Sequence, residues 1–169
     1  TIVHGKKIIG NPIDSAIWKH GYEKFKDRLK EYSKIDDIPF DYFRKRMSVV
    51  VNDGKKNFLI TKGAPQSVLK LCKRAYINNR ESSISFHSKK IEQKFKELSG
   101  RGFRVIAVAY REMKTKKSYD TKDEKEMVFL GFINFLDPPK KSFKEHIDKL
   151  ESLNIKFKIL TGDNELVTR

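Results

Sequence analysis

Apolar residues recur along the chain with two different periods, and the points where one gives way to the other divide it into elements. Ile13, Ala16, Ile17, Tyr22, Phe25 and Leu29 form a broken stripe at helical spacing. Asn11-Pro12 opens that stripe: asparagine is a favoured N-cap, proline suits the first helical position, and Asp14 follows three residues after the cap. Gly21 weakens this helix near its middle or ends a first segment there. From Ile35 the pattern turns extended. Ile38-Pro39-Phe40 reads as an edge strand, because proline lacks a ladder donor. Met47 to Val51 and Asn57 to Thr61, separated by the turn Asn52-Asp53-Gly54, read as a hairpin. Pro65 starts a short helix through Val68, Leu69 and Cys72, and residues 74–84 read as a short strand and turn. Ile91, Phe95 and Leu98 mark a helix ended by Gly100 and Gly102. Val105 to Tyr110 and Val128 to Leu136 read as strands, the second apolar enough to expect burial on both faces. The polar stretch Lys114 to Lys125 between them is expected to be the most mobile loop. Phe143, Ile147, Leu150 and Leu153 mark a last amphipathic helix, and Phe157 to Leu160 a terminal strand. Up to Leu136 the order predicts an α+β fold with an antiparallel sheet flanked by helices. The final helix and strand read as half of a βαβ unit.

Composition narrows this picture. The chain's 169 residues suit one compact domain, and 38% hydrophobic residues allow a core that needs no staples. A single cysteine, Cys72, excludes a disulfide framework and a multi-cysteine zinc site. No apolar run approaches the ~20 residues of a membrane helix, and no signal-peptide pattern is present, so exposure to the cytosol is expected. Thirty-seven basic against 22 acidic residues give a net charge of +15, which favours polyanionic partners. The lysines are dispersed, however, and the longest basic block is Arg44-Lys45-Arg46.

Three segments could carry chemistry. Lys62-Gly63-Ala64-Pro65 joins a strand end, a glycine and a helix start around one mobile cation, which suits a phosphate and equally suits a plain turn. Phe40 followed by Arg44, Lys45 and Arg46 either stacks a base beside phosphate-facing cations or is a core ring beside a solvated loop. Thr161-Gly162-Asp163 follows an apolar strand, where open α/β sheets place ligands, though such turns are also common structurally. His4, His20, His87 and His146 share no metal-ligand spacing, and Cys72 and Trp18 read as packing residues. Nothing matches GxGxxG, GxxxxGK[ST] or GxSxG.

In order, Gly10-Asn11-Pro12-Ile13-Asp14, Ile38-Pro39-Phe40 through Met47-Ser48-Val49, Lys62-Gly63-Ala64-Pro65, Arg101-Gly102-Phe103-Arg104, Leu136-Asp137-Pro138-Pro139-Lys140 and Thr161-Gly162-Asp163-Asn164 resemble the nucleotide-binding domain of P-type cation-transporting ATPases. The wording is closest to the bacterial magnesium-transporting branch. The resemblance implies a nucleotide-binding domain over residues 1–136 and, over 137–169, a partial phosphorylation domain of the haloacid-dehalogenase-like kind. It implies ATP with Mg²⁺ as the ligand, and a parent hydrolase and translocase anchored in the plasma (inner) membrane. The expected partners are that parent's phosphorylation, actuator and transmembrane domains, with no nucleic acid.

Carried over by residue, Phe40 would stack on adenine, Asp14 would lie near the adenine amino group, and Met47 would pack beneath the base. Lys45 and Lys62 would line the pocket, Gly63 would give the base room, and Arg104 would face the phosphates. Asp137 would mark the hinge, with Thr161, Gly162 and Asp163 in the phosphorylation-domain motif. Tyr42 stands where calcium-pump relatives often carry arginine, and Asp14 where many carry glutamate. The family's Asp-Lys-Thr-Gly-Thr segment occurs nowhere in these residues, so an excised, catalytically inactive cytosolic piece is expected. The rival readings are a basic nucleic-acid-binding protein, which steep salt dependence toward DNA or RNA would betray, and a phosphatase-like fragment, which lacks a nucleophile.

Overall fold

The computed structural model describes residues 2–4, 7–9, 12–136 and 142–156. Asp137, Thr161, Gly162, Asp163, the Asn11 cap and the strand expected at 157–160 lie outside them. A small antiparallel pair, β1 (Ile2–His4) and β2 (Lys7–Ile9), precedes helix α1 (Pro12–Leu29). Seven strands then form one sheet: β3 (Ser33–Asp41), β4 (Arg46–Asn52), β5 (Asn57–Gly63), β6 (Cys72–Ile77), β7 (Arg80–Ser83), β8 (Phe103–Met113) and β9 (Met127–Leu136). Their spatial order is β3-β4-β5-β8-β9-β6-β7, antiparallel except for the parallel pair β6–β9. Helices α2 (Pro65–Leu69) and α3 (Ser88–Gly100) fill the excursion between β5 and β8, and α4 (Phe143–Ser152) follows the sheet.

Period-2 alternation decides which face is core. Ser48 and Val50 on β4, Asn57, Leu59 and Thr61 on β5, and Val105, Ala107 and Ala109 on β8 are all buried. Val68 of α2 and Ile91 of α3 join the same hydrophobic cluster, so both helices cover this face. Small Ala107 and Ala109 let the helices approach, and Phe95 of α3 packs 6.0 Å from the Phe132 ring. The intervening residues Met47, Val49, Ile60, Lys62, Ile106 and Val108 lie half-buried on the other face. Helix α1 reaches that face through Asp14 yet contributes no buried side chain.

Several expectations needed correction. Of the two readings of Gly21, the segment end is the one overturned: α1 runs unbroken through it, and a glycine inside a helix costs only about 1 kcal/mol. α2 stops at Leu69, and Cys72 begins β6. β9 is not buried on both faces: Leu130 is 45% and Leu136 67% exposed, since only one side of the sheet has helices packed into the core. The 114–125 loop is pinned rather than loose. Tyr119, Asp123 and Glu124 are buried, the Tyr119 N–H donates to Asp36 at 2.9 Å, and Asp120 and Asp123 form a reciprocal capping box. The edge strand, the β4–β5 hairpin and α3 form as expected.

Candidate functional site

A bulge in the edge strand aims Phe40. Ile38 pairs with Ser48 and Asp41 with Arg46, so Pro39 and Phe40 together oppose the single residue Met47. Such an insertion bends a strand and re-aims a side chain. Ile38 stays in the core, whereas Phe40 turns out to solvent, 53% exposed, with its ring edge-on to Tyr42 at 5.5 Å between centroids. Phe40 is therefore not a core ring.

Register continues the row. Met47 pairs with Lys62, and Lys62 with Val108. Residues directly opposite across strands share a face, so Phe40, Met47, Lys62 and Val108 line one band across the sheet. Asp14, in the first turn of α1, forms an ion pair with Lys62. Burial pushes the Lys62 ammonium below the usual lysine value, and the Asp14 carboxylate supplies its counter-charge. Arg104 lies on the same face of β8, four residues from Val108, or about 13 Å along the strand. Its side chain is exposed and makes no hydrogen bond or ion pair among the described residues. The band can thus offer an aromatic face, a thioether, one half-buried cation–carboxylate pair and, farther out, one guanidinium.

Two expected roles look different in three dimensions. A Cβ at Gly63 would lie 2.4 Å from the Lys45 carbonyl oxygen and 2.5 Å from Arg46 Cβ. The neighbouring strand therefore requires this glycine, whatever ligand approaches it. Lys45 takes a left-handed backbone (φ 50°) in the tight β3–β4 turn, where the Ala64 N–H donates to its carbonyl at 2.9 Å. Its side chain is exposed, within the turn that follows Phe40.

Neither reading of the basic triplet holds for its two arginines. Arg44 and Arg46 keep only 20% and 16% of their side chains exposed, against a Glu124 side chain with 0%. Arg44 Nη1 donates to both Glu124 oxygens at 2.8 Å, Arg46 Nε donates at 2.7 Å, and the Ser48 hydroxyl donates at 2.7 Å. Leaving one member of such a buried set unpaired costs about 3–5 kcal/mol. Sequence reasoning missed Glu124. It lies some 80 residues from its partners within a stretch that reads as an ordinary polar loop, so no local signal marks it.

Two clefts flank α3. One, of about 340 Å³, is lined by residues including His87, Ile91 and Phe132, and the other, of about 460 Å³, by Pro65, Leu69 and Phe95. Neither includes Asp14, Phe40 or Lys62. Among the described residues no cluster of three or more His, Cys, Asp or Glu side chains could hold a metal, and no helix is long and apolar enough to cross a membrane.

The family described as "P-type ATPase, cytoplasmic domain N" matches residues 2–142. The chain is 35% identical to "Magnesium-transporting ATPase, P-type 1" of Escherichia coli (strain K12), over 97% of this chain and 19% of that protein. It is 32% identical to "Calcium-transporting ATPase" of Bacillus subtilis (strain 168), over 92% of this chain and 18% of the other. A "Probable cation-transporting P-type ATPase" of Mycoplasma genitalium is 34% identical over 92% of this chain and 17% of its own length. The chain spans about a fifth of the length of the curated relatives it matches. With the family's domain N covering most of its residues and magnesium-transporting relatives aligned over nearly all of them, the chain belongs to the P-type ATPases, near the magnesium-transporting branch.

Proposed function

We propose that this chain binds ATP on the Phe40–Met47–Lys62 band and holds it for phosphoryl transfer to an aspartate on another domain of a parent pump. The observation that carries the reading is the band itself: the bulge sets an exposed ring beside Met47, and the next strand sets the Asp14–Lys62 pair beside Met47. Phe40 stacks on the adenine, Met47 lies beneath it, and Asp14 accepts from the adenine amino group. Lys62 and Lys45 bring positive charge to the nucleotide, and Arg104 faces the phosphates. In the parent, the bond from the γ-phosphorus to its bridging oxygen breaks, an acyl phosphate forms on the aspartate, and ADP leaves. Such transfer depends mainly on positioning and charge neutralisation, so a domain that only presents nucleotide is chemically sensible. Mg²⁺ enters with the ATP phosphates and is the proposed cargo of the membrane-embedded parent; the relatives' names support a cation and favour Mg²⁺. We assign residues 1–136 to the nucleotide-binding domain and 137–169 to a portion of the phosphorylation domain, with Asp137 at the hinge and Thr161, Gly162 and Asp163 in that domain's motif. By itself the chain binds ATP without turning it over.

Titration of adenosine, ADP and ATP against two variants tests the reading. Base stacking is worth about 1–3 kcal/mol, so Phe40→Ala should weaken all three ligands by similar factors. Lys62→Ala should cost ADP and ATP more than adenosine, and the difference should shrink as salt is raised. Undiminished adenosine binding in Phe40→Ala would remove the stacking role. Phosphate release above a buffer control, at equal rate in independent preparations, would contradict the absence of turnover.

A further inference from the structure

Glu124 lies behind the candidate nucleotide face, and its bonds lead to that face. Arg44 gives one terminal nitrogen to both Glu124 oxygens at 2.8 Å and the other to the Pro39 carbonyl at 2.7 Å. Pro39 is the bulge residue directly before Phe40. Arg46, directly before Met47, donates Nε to Glu124 at 2.7 Å; Ser48, directly after Met47, donates its hydroxyl at 2.7 Å. Ser48 and Thr61 hydroxyls lie 2.8 Å apart, extending the network to the residue before Lys62. One carboxylate therefore holds the chain on both sides of Met47 and, through Arg44, the peptide from which Phe40 projects. Alternative placements are costly because each leaves a buried charge without its partner. The Glu124 side chain itself has no exposed surface, so it touches no ligand.

We infer that Glu124 is a positioning residue for adenine-nucleotide recognition, acting through Arg44 and Arg46 to fix the Phe40 ring relative to Met47. This deepens the nucleotide reading of the Phe40–Met47–Lys62 band and rests on it. The loop that carries Glu124 is then part of the binding apparatus, although it contributes no contact to the ligand.

The chain's three methionines provide the test. Methyl-labelled methionine gives one reporter on the candidate face, Met47, and two in the core, Met113 and Met127. Glu124→Gln keeps the shape of the side chain and removes its charge. The expected result is cooperative unfolding with the Met113 signal in place, a displaced and broadened Met47 signal, and adenosine and ADP affinity reduced roughly tenfold or more. Arg44→Lys is the second variant. It keeps a charge opposite Glu124 but lacks the planar fork that reaches carboxylate and Pro39 carbonyl together, and it should show the same Met47 displacement and weaker adenosine binding. An unchanged Met47 signal with unchanged adenosine affinity, in either folded variant, overturns the inference. So does an affinity loss that only tracks the unfolded fraction, or failure of both variants to fold, because the role is then structural. An unaltered chain that binds no adenosine overturns the nucleotide reading itself. One that binds it equally well with and without the Glu124 charge overturns the positioning role alone.

Discussion

A methyl group at position 63 has nowhere to go: the Lys45 carbonyl and the Arg46 Cα and Cβ already occupy its space at 2.4–2.7 Å. Because the obstruction is mostly backbone, relief means separating β4 from β5, and overpacking of this kind costs about 1–3 kcal/mol. Gly63→Ala should lower the unfolding free energy by that much, read as a lower urea midpoint with an unchanged slope. Cys72 makes a different residue-scale prediction. It is 6% exposed, and burial pushes its thiol up to about 12, so little thiolate is available to react. Alkylation under native conditions should be slow and should accelerate in step with urea-induced unfolding; fast native alkylation would mean that the α2–β6 junction opens locally. At this scale the sequence was legible where neighbours along the chain carry the signal. Asp14, Phe40, Met47 and Lys62 stand in short motifs, and the structure sets them in one band. Glu124 was illegible because its meaning comes from Arg44 and Arg46, far away in the chain, and the reason for Gly63 lies on the adjacent strand.

Among the elements, the 114–126 connection differs most from its sequence pattern. Its lysines make it read as solvated, yet Tyr119 packs into the core, and the Asp120–Asp123 capping box closes its one 3₁₀ turn. Burial alone would raise the Asp123 carboxyl, but bonds from Lys116 and from the Asp120 N–H prevail and hold it below its ordinary 3.8. A carboxyl with a depressed folded-state pKa adds stability that is present above its unfolded value and is lost as pH falls through the folded one. Thermal unfolding of the unaltered chain should therefore lose midpoint more steeply than Asp123→Asn as pH drops below about 3.8. Parallel curves would remove the carboxylate's role. The strands β3, β4 and β5 were readable because alternation and turn residues are local. The bulge was not: nothing in Ile38-Pro39-Phe40 states that two residues will face one across the ladder. The exposed flank of β9 was misread because an apolar run does not reveal which side of a sheet the helices cover.

The whole molecule carries +15, but its lysines are dispersed along the chain, and many are already in exposed ion pairs such as Lys94–Glu97 and Lys56–Glu112. Such pairs contribute little individually and are screened by salt. ATP should accordingly shift amide signals near Phe40, Lys62 and Arg104 and leave those of α3 in place, and inorganic triphosphate should not reproduce the Phe40 shifts. Uniform shifts over all basic surfaces would sink the specific site and favour the polyanion-binding alternative. Sheet order has a consequence in time as well as in space. The chain leaves β5 at Gly63 and returns in β8 at Phe103, while β6 and β7 are laid outside β9. The seam between β5 and β8 therefore joins two halves, 33–63 and 103–136, each built largely from sequence neighbours, and sealing it means closing the intervening loop at an entropic cost. Phe40, Met47 and Lys62 lie in the first half, and Arg104 and the Glu124 that holds Arg44 lie in the second, so full ligand competence should not arise in either half alone. In interrupted refolding, ADP binding should appear together with amide protection of the β5–β8 pairs and after that of the β4–β5 hairpin. Contacts made that late act on the unfolding limb, so ADP should slow unfolding while leaving the refolding rate nearly unchanged.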